Sequence, residues 1–279
     1  LIKLFFCCPC IVFFPLLVSA QNGVELTKQM IASTKRIQTI QYKMEKRERV
    51  DGELTFQKVA VKLNRHPYKV YSYQLLPKKG LELLYVPSEH RQALVNPNGF
   101  PWINIRLDPM GNRMRKNQHH TINRSGYDFF ISIIEHLLNK HKANIQQMVR
   151  VNKDVYVSGR KCWEIELNNP NYKIVQYKVK NGENLVEIGD RYKINDYRII
   201  ELNDQVDGFN DVSAGQLIKI PNDFAPKMLL SIDKERMVPM KVAVYNENGL
   251  FEEYLYSDVV INPKFKSDEF KEGFKGYKF

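Results

Sequence analysis

The chain has 279 residues, 43% of them apolar and 11% aromatic, with 14 Gly, 13 Pro and 4 Cys. Such a composition can bury a sizeable core, and it excludes a wholly disordered, collagen-like or disulfide-scaffold protein. Forty-two Lys and Arg against 31 Asp and Glu leave a net charge of +11, which favours anionic partners.

In chain order, Lys3 precedes an apolar run from Leu4 to Leu17, and Val18-Ser19-Ala20 places small residues before Gln21. This order predicts a secretory signal peptide over 1–20, with an uncleaved anchor as the alternative. The expected location is the periplasm or cell envelope, and export argues against nucleic acid as a partner. Cys7, Cys8 and Cys10 would leave with the signal. Cys162 then stands alone, and its mid-strand place next to Trp163 reads as a structural thiol rather than a nucleophile.

Residues 24–40 read as an amphipathic helix, with Leu26, Met30, Ile37 and Ile40 on one stripe. Strand signals follow through Val59, Val61, Leu63, Val70, Tyr71 and Tyr73, then Leu81 to Val86 and Trp102 to Ile105. The turn pairs Asp51-Gly52 and Asn98-Gly99 punctuate them, the pattern of an antiparallel meander. The clearest helix spans 126–141, where Tyr127, Phe130, Ile131, Ile134, Leu137 and Leu138 keep the three/four rhythm. Strands resume at 155–157 and 162–167, and a hairpin turns at Asn246-Glu247-Asn248-Gly249.

Residues 177–222 break the pattern, with 6 Lys and Arg against 8 Asp and Glu in an otherwise basic chain. The segment has its own order of strand, helix, helix and strand, so it reads as a module inserted into a β-rich host of residues 21–176 and 223–279. Tyr177-Lys178-Val179-Lys180-Asn181-Gly182-Glu183-Asn184-Leu185, then Ile199 to Asn203, then Gly215-Gln216-Leu217-Ile218-Lys219-Ile220-Pro221, closely resemble a LysM domain. The resemblance implies binding of N-acetylglucosamine glycans such as peptidoglycan. The residues it places in or beside the sugar groove are Gly182, Glu183, Asn184, Leu185, Asn203, Phe209, Gly215 and Gln216. Glu183-Asn184 departs from the usual Asp-Thr, and Asp204 stands where Pro is common. Phe209 can either offer its ring to a sugar or pack its loop onto the helices. If the module's two strands pair, its ends lie together and the tip of a host hairpin can accept it.

In the host, Gly80 to Val86, Gly126-Tyr127 and the C-terminal run of Leu230, Asp233, Val238-Pro239-Met240, Tyr254, Tyr256, Asn262-Pro263 and Gly276 to Phe279 resemble the DUF1571 group of exported bacterial proteins. That group is in turn similar to lipoprotein carriers and receptors of the LolA/LolB type. The resemblance implies an α+β fold, a curved antiparallel half-barrel covered by helices, with the βααβ LysM module inserted. It also implies an apolar cavity for acyl chains, which the sequence cannot separate from a closed core. The expected cavity lies between the 126–141 helix and the concave sheet, with Arg113, Arg115 and Lys116 as anionic head-group residues at its mouth.

Catalytic signals are few. There is no His-Glu-x-x-His, Gly-x-Ser-x-Gly or phosphate loop, and His136 and His141 are five apart, on different helical faces. No catalytic residue, metal or cofactor is therefore expected. Arg106, Arg113, Arg115, Lys116, His119, His120 and Arg124 form a basic stretch that either meets anions or is a solvated loop. The reading is a non-enzymatic envelope protein, at most peripheral to a membrane, that binds peptidoglycan and a lipid or lipoprotein ligand. The alternatives are a cell-wall hydrolase with an unrecognised catalytic domain and a structural envelope component.

Overall fold

The computed structural model describes residues 22–279, so the signal-peptide expectation for 1–20 lies outside the described residues. Helix α1 (Gly23–Lys35) starts at Asn22, whose side chain accepts from the amide of Val24 at 2.9 Å, a cap worth about 1 kcal/mol. The helix ends five residues before the expected Ile40. Thr39 and Ile40, both β-branched, already belong to strand β1 (Thr39–Val50). Asp51 and Gly52, both at positive φ, turn β1 into β2 (Glu53–Asn64), as an Asp-Gly hairpin requires. The meander continues through β3 (Lys69–Leu76), β4 (Glu82–Tyr85), β5 (Ala93–Asn96) and β6 (Ile105–Leu107).

A long connection then crosses the sheet with a single helical turn, α2 (Asn112–Arg115), and a 3₁₀ turn at Ile122–Arg124. It leads to α3 (Asp128–Lys140), whose buried Ile131, Ile134 and Leu137 meet the core. The short α4 (Ile145–Met148) precedes β7 (Val149–Val157) and β8 (Arg160–Asn168). The excursion that follows holds β9 (Ile174–Lys178), α5 (Leu185–Tyr192), α6 (Asp196–Glu201) and β10 (Leu217–Pro221). The chain returns as β11 (Lys227–Asp233), β12 (Pro239–Asn246) and β13 (Gly249–Ile261).

All host strands form one antiparallel sheet in the order β6-β5-β4-β3-β2-β1-β13-β12-β11-β8-β7. The α+β expectation holds: the last strand closes on the first, and α1, α3 and the module share one core with the sheet. Strands β8 and β11 pair from Asn168 with Lys227 onward, so the excursion leaves from the tip of a host hairpin. Its own strands β9 and β10 form a separate two-stranded sheet, beginning at Ile174, three residues before the compositional break at 177. Among the described residues, no helix is long and apolar enough to cross a membrane.

Candidate functional site

Strand alternation builds the site. Side chains two apart share a face, so Tyr42, Met44, Lys46 and Glu48 of β1 lie on the same side. In the β1–β13 register Met44 faces Tyr256, Lys46 faces Tyr254 and Glu48 faces Glu252. The inner face therefore grades from apolar and aromatic at one end to carboxylates at the other.

The apolar end is open. Tyr42, Met44, Val59, Val61, Leu83 and Val95 floor a cavity of about 310 Å³, and Met114, Ile122 and Phe130 roof it. That volume lies at the lower end of the roughly 300–1,000 Å³ typical of small-molecule pockets. Lys46, Gln57, Gln74, Arg113, Lys116 and Gln118 supply its polar groups. The cavity sits mainly beneath the 113–126 connection and reaches the 126–141 helix only at its first turn, through Gly126 and Phe130. The reason is a tyrosine wedge at the start of α3. Tyr42 and Tyr127 both pack edge-on to Tyr256, with centroids 5.3 and 4.9 Å away, and the Tyr42 hydroxyl accepts from the Gly126 amide at 2.9 Å. Beyond that wedge α3 is packed, with Ile133, Ile134 and Leu137 at most 1% exposed.

The polar end is closed; of its residues the sequence singled out only His119 and His120, as part of the basic stretch, and not their acidic partners. Glu48 and Glu252 are fully buried, and like charges opposite each other across a strand pair are unfavourable without cations. Lys46 Nζ stands 3.2 Å from Glu48 Oε2, which also accepts from the His119 amide at 2.9 Å. The Tyr254 hydroxyl donates to Glu48 Oε1 at 2.5 Å. His119 places Nδ1 2.8 Å from Glu252 Oε2 and Nε2 2.8 Å from the carbonyl of Arg49. Both ring nitrogens face acceptors, so the ring donates twice as an imidazolium. Burial works against that charge, but the bond to Glu252 and the charge of Glu48 outweigh it and raise the His119 pKa. The neighbouring His120 goes the other way, because burial dominates and lowers it. Burial works to raise Glu252 as well, yet the two imidazoles hold it at about 2.

Among the described residues, Glu48, His119 and Glu252 are the group of His, Cys and carboxylate side chains whose ligand atoms come within 4.8 Å of one another. Lys46 and the imidazolium already balance its two carboxylates, and the His119 nitrogens already have partners. The geometry is that of an ion-pair network rather than an open coordination site.

The same network carries the LysM-like module. Asn195 donates to Glu252 at 3.1 Å, and the Tyr197 ring stacks on His119 with centroids 4.5 Å apart. Asp196, fully buried at the start of α6, accepts from Arg115 at 2.8 Å and Arg124 at 3.2 Å. Its pKa is lowered: burial opposes, and the two guanidiniums win. Arg198 pairs with Glu201 at 2.8 Å and with Glu247 of the host. Gly189 allows α5 and α6 to approach, since a Cβ there would sit 3.1 Å from Asp196 Cβ and the Ile194 carbonyl. The acidic module is thus held by the basic host segment through buried pairs.

These contacts divide the expected site residues. Arg113 and Lys116 line the cavity, whereas Arg115 turns away to Asp196 and is 4% exposed, so it is no mouth residue. The basic stretch is neither a solvated loop nor a single anion patch: Arg115, His119 and His120 are buried. In the module, Phe209 is buried with the Arg115 guanidinium 3.1 Å from its ring centroid, so it packs the loop and offers no face to a sugar. Glu183 is buried as well, accepting from the Tyr177 hydroxyl at 2.7 Å, from the Lys180 amide at 2.9 Å and from Arg191. Asn184 caps α5 in a reciprocal pair with Glu187, and Leu185 is fully buried. Asn203 stitches α6 to β10 through the Ile199 and Lys219 backbones. Gly182 and Gly215 are exposed turns at positive φ, and Gln216 is half-buried with its side chain accepting from the Ser213 amide. Cys162 is buried in β8, and burial pushes its thiol up to about 11, unsuited to a nucleophile.

A second depression, a cleft of about 660 Å³, lies where the module meets the host. Asn184, Val186, Glu187 and Asn210 form one wall; Leu107, Asp108, Met110, Gly111, Asn112 and Arg113 form the other.

Comparison with known proteins follows this division. A LysM domain model matches residues 177–221, and the chain carries that domain between two parts of its host. Among solved structures, the complex of Pseudomonas aeruginosa MucA and MucB is similar at 9% identity, covering 91% of this chain and 62% of that one, with a TM-score of 0.42. The chain thus spans about three fifths of that relative. Mycobacterium tuberculosis lipoprotein LppX is similar at 10% identity, covering 87% of this chain and 96% of that one, with a TM-score of 0.42. A LolA superfamily protein from Nitrosomonas europaea is similar at 11% identity, covering 91% and 99%, with a TM-score of 0.32. No curated protein matches the chain by sequence. The model described as a protein of unknown function, DUF1571, matches residues 37–185, and the chain belongs to that family.

Proposed function

We propose that this is a non-enzymatic envelope protein that holds a lipophilic anion in its host cavity while its LysM domain attaches to N-acetylglucosamine glycan. The observation that carries the reading is the cavity itself. It has an apolar strand floor and no Asp or Glu in its lining; Lys46 is paired with Glu48 behind the wall, which leaves Arg113 and Lys116 as lining cations without an acidic partner. Each methylene buried there contributes about 0.8 kcal/mol, and a cationic rim fixes an acidic head group. The exposed turns at Gly182 and Gly215 leave the module's loops accessible to a glycan. Phe100, Trp102 and Ile103 are 85%, 80% and 62% exposed on the β5–β6 loop, in which the Lys278 ammonium donates to Asn98 at 2.9 Å and Lys78 lies beside Gly99. Aromatic residues flanked by lysine suit a lipid–water interface, in keeping with a peripheral membrane contact.

The test mixes the protein with insoluble peptidoglycan and a fluorescent sixteen-carbon fatty acid. Fatty acid should sediment with the wall only when protein is present, and wall turbidity should stay constant. Clearing of the suspension would instead favour the hydrolase alternative, and fatty acid left in the supernatant would remove the carrier reading.

A further inference from the structure

The cavity and the cleft are not independent. Leu107 and Arg113 line both, so the stretch from the end of β6 to Arg113 is the partition between a greasy chamber and a polar groove. The two chambers differ in chemistry. The cleft presents the amides Asn112, Asn184 and Asn210, groups that pair with hydroxyl and acetamido substituents, with Val186 and Met110 as apolar contacts. The cavity presents strand side chains suited to hydrocarbon.

At the partition the cations divide in a telling way. Arg115 and Arg124 are taken up by Asp196 and Asp190 of the module. Among the described residues, neither Arg113 nor Lys116 has an acidic group within 4.0 Å, although both border the cavity. Asp108 and Glu187 line the cleft rather than the cavity, so an anion is favoured on the cavity side of Arg113 and neutral sugar on the other.

We infer that the two depressions hold one molecule, a glycan-bearing anionic lipid with sugars in the cleft, its phosphate-type link on Arg113 and Lys116, and hydrocarbon in the cavity. This deepens the proposed function and rests on it: it replaces two separate ligands by one of defined class. Joining two ligands that occupy adjoining sites makes the second binding event intramolecular, at an effective concentration near millimolar for a short link.

The experiment is calorimetric titration of the full chain with three probes: chitotetraose, hexadecyl phosphate, and hexadecyl phosphate esterified to di-N-acetylchitobiose. The conjugate should bind at least about 10-fold more tightly than the better of the other two. R113E, a change at an exposed side chain that should leave the thermal midpoint in place, should bring the conjugate down to the level of the better single probe. If each single probe binds but the conjugate gains less than threefold, the shared-ligand inference is overturned and the two-site function stands. If R113E leaves the conjugate's affinity unchanged, the charged link is not on this partition and the inference is likewise overturned. If none of the three binds, the inference and the function it rests on fall together.

Discussion

Replacing Asp196 by alanine removes the carboxylate on which two arginines converge. Arg115, 4% exposed, loses its 2.8 Å partner, and Arg124 loses contacts at 3.2 and 3.4 Å while keeping Asp190. One Arg115 nitrogen, Nη1, already lacks a hydrogen-bond partner, so nothing nearby takes over the lost charge. Removing one member of a buried pair costs about 3–5 kcal/mol, because the other charge is left desolvated. The Phe209 ring beneath Arg115 offsets about 1–2 kcal/mol at most. With a urea slope near about 3 kcal/mol per molar for a chain of this size, the midpoint should fall by about 1 M. The double variant R115M/D196L, which removes both charges and fills the space, should recover at least half of that loss. Equilibrium urea unfolding followed by tryptophan fluorescence reads both. A fall below about 0.3 M for D196A, or a double variant worse than D196A, would refute the view that this pair holds the LysM domain to its host.

Four further outcomes follow from the same geometry. Glu252, depressed from 4.5 to about 2, contributes stability that is present above about 4.5 and lost as pH falls toward 2, so E252Q should flatten the acid limb of a stability–pH profile measured by urea midpoints. His119 is raised, so its contribution is full below 6.5 and is lost as pH rises through its folded value; H119Q should remove that alkaline decline, and an unchanged limb would refute the imidazolium assignment. F209A should cost about 3 kcal/mol of stability through the lost packing yet leave chitotetraose affinity within twofold, whereas a selective loss of affinity would restore Phe209 to the sugar site. W102S should weaken flotation with vesicles of phosphatidylethanolamine and phosphatidylglycerol without moving the thermal midpoint, since Trp102 is 80% exposed; equal flotation would dismiss the membrane contact.

What the sequence made legible was local. The Asp51-Gly52 turn, the 246–249 hairpin and the spacing from Gly182 to Pro221 each depend on residues close together, and each reads directly. Strand β1 was harder, because Lys43, Glu45 and Arg47 on one face and Lys46 and Glu48 on the other give charge at nearly every position and erase the period-two signal. The basic stretch read as one patch because its partners are far away in sequence: Glu48 and Glu252, opposite each other in the sheet, are 204 positions apart, and Asp196 lies in another module. For the same reason Arg115 was assigned to a lipid mouth when its charge belongs to a domain junction. The cavity meets the expected helix only at Gly126 and Phe130 and lies mainly under the preceding connection, because nothing in the spacing of Tyr42, Tyr127 and Tyr256 announces that the three meet as a wedge.

The central claim, that the host cavity is a lipid chamber working beside a separate glycan module, is tested most directly by filling the chamber. Val59 is half-buried on the cavity floor, and tryptophan there would occupy the space that hydrocarbon needs. For V59W, binding of the fluorescent sixteen-carbon fatty acid should fall by at least about 10-fold, the loss of roughly two buried methylenes, while sedimentation with peptidoglycan stays unchanged. Undiminished fatty-acid binding by a folded V59W protein would contradict the account.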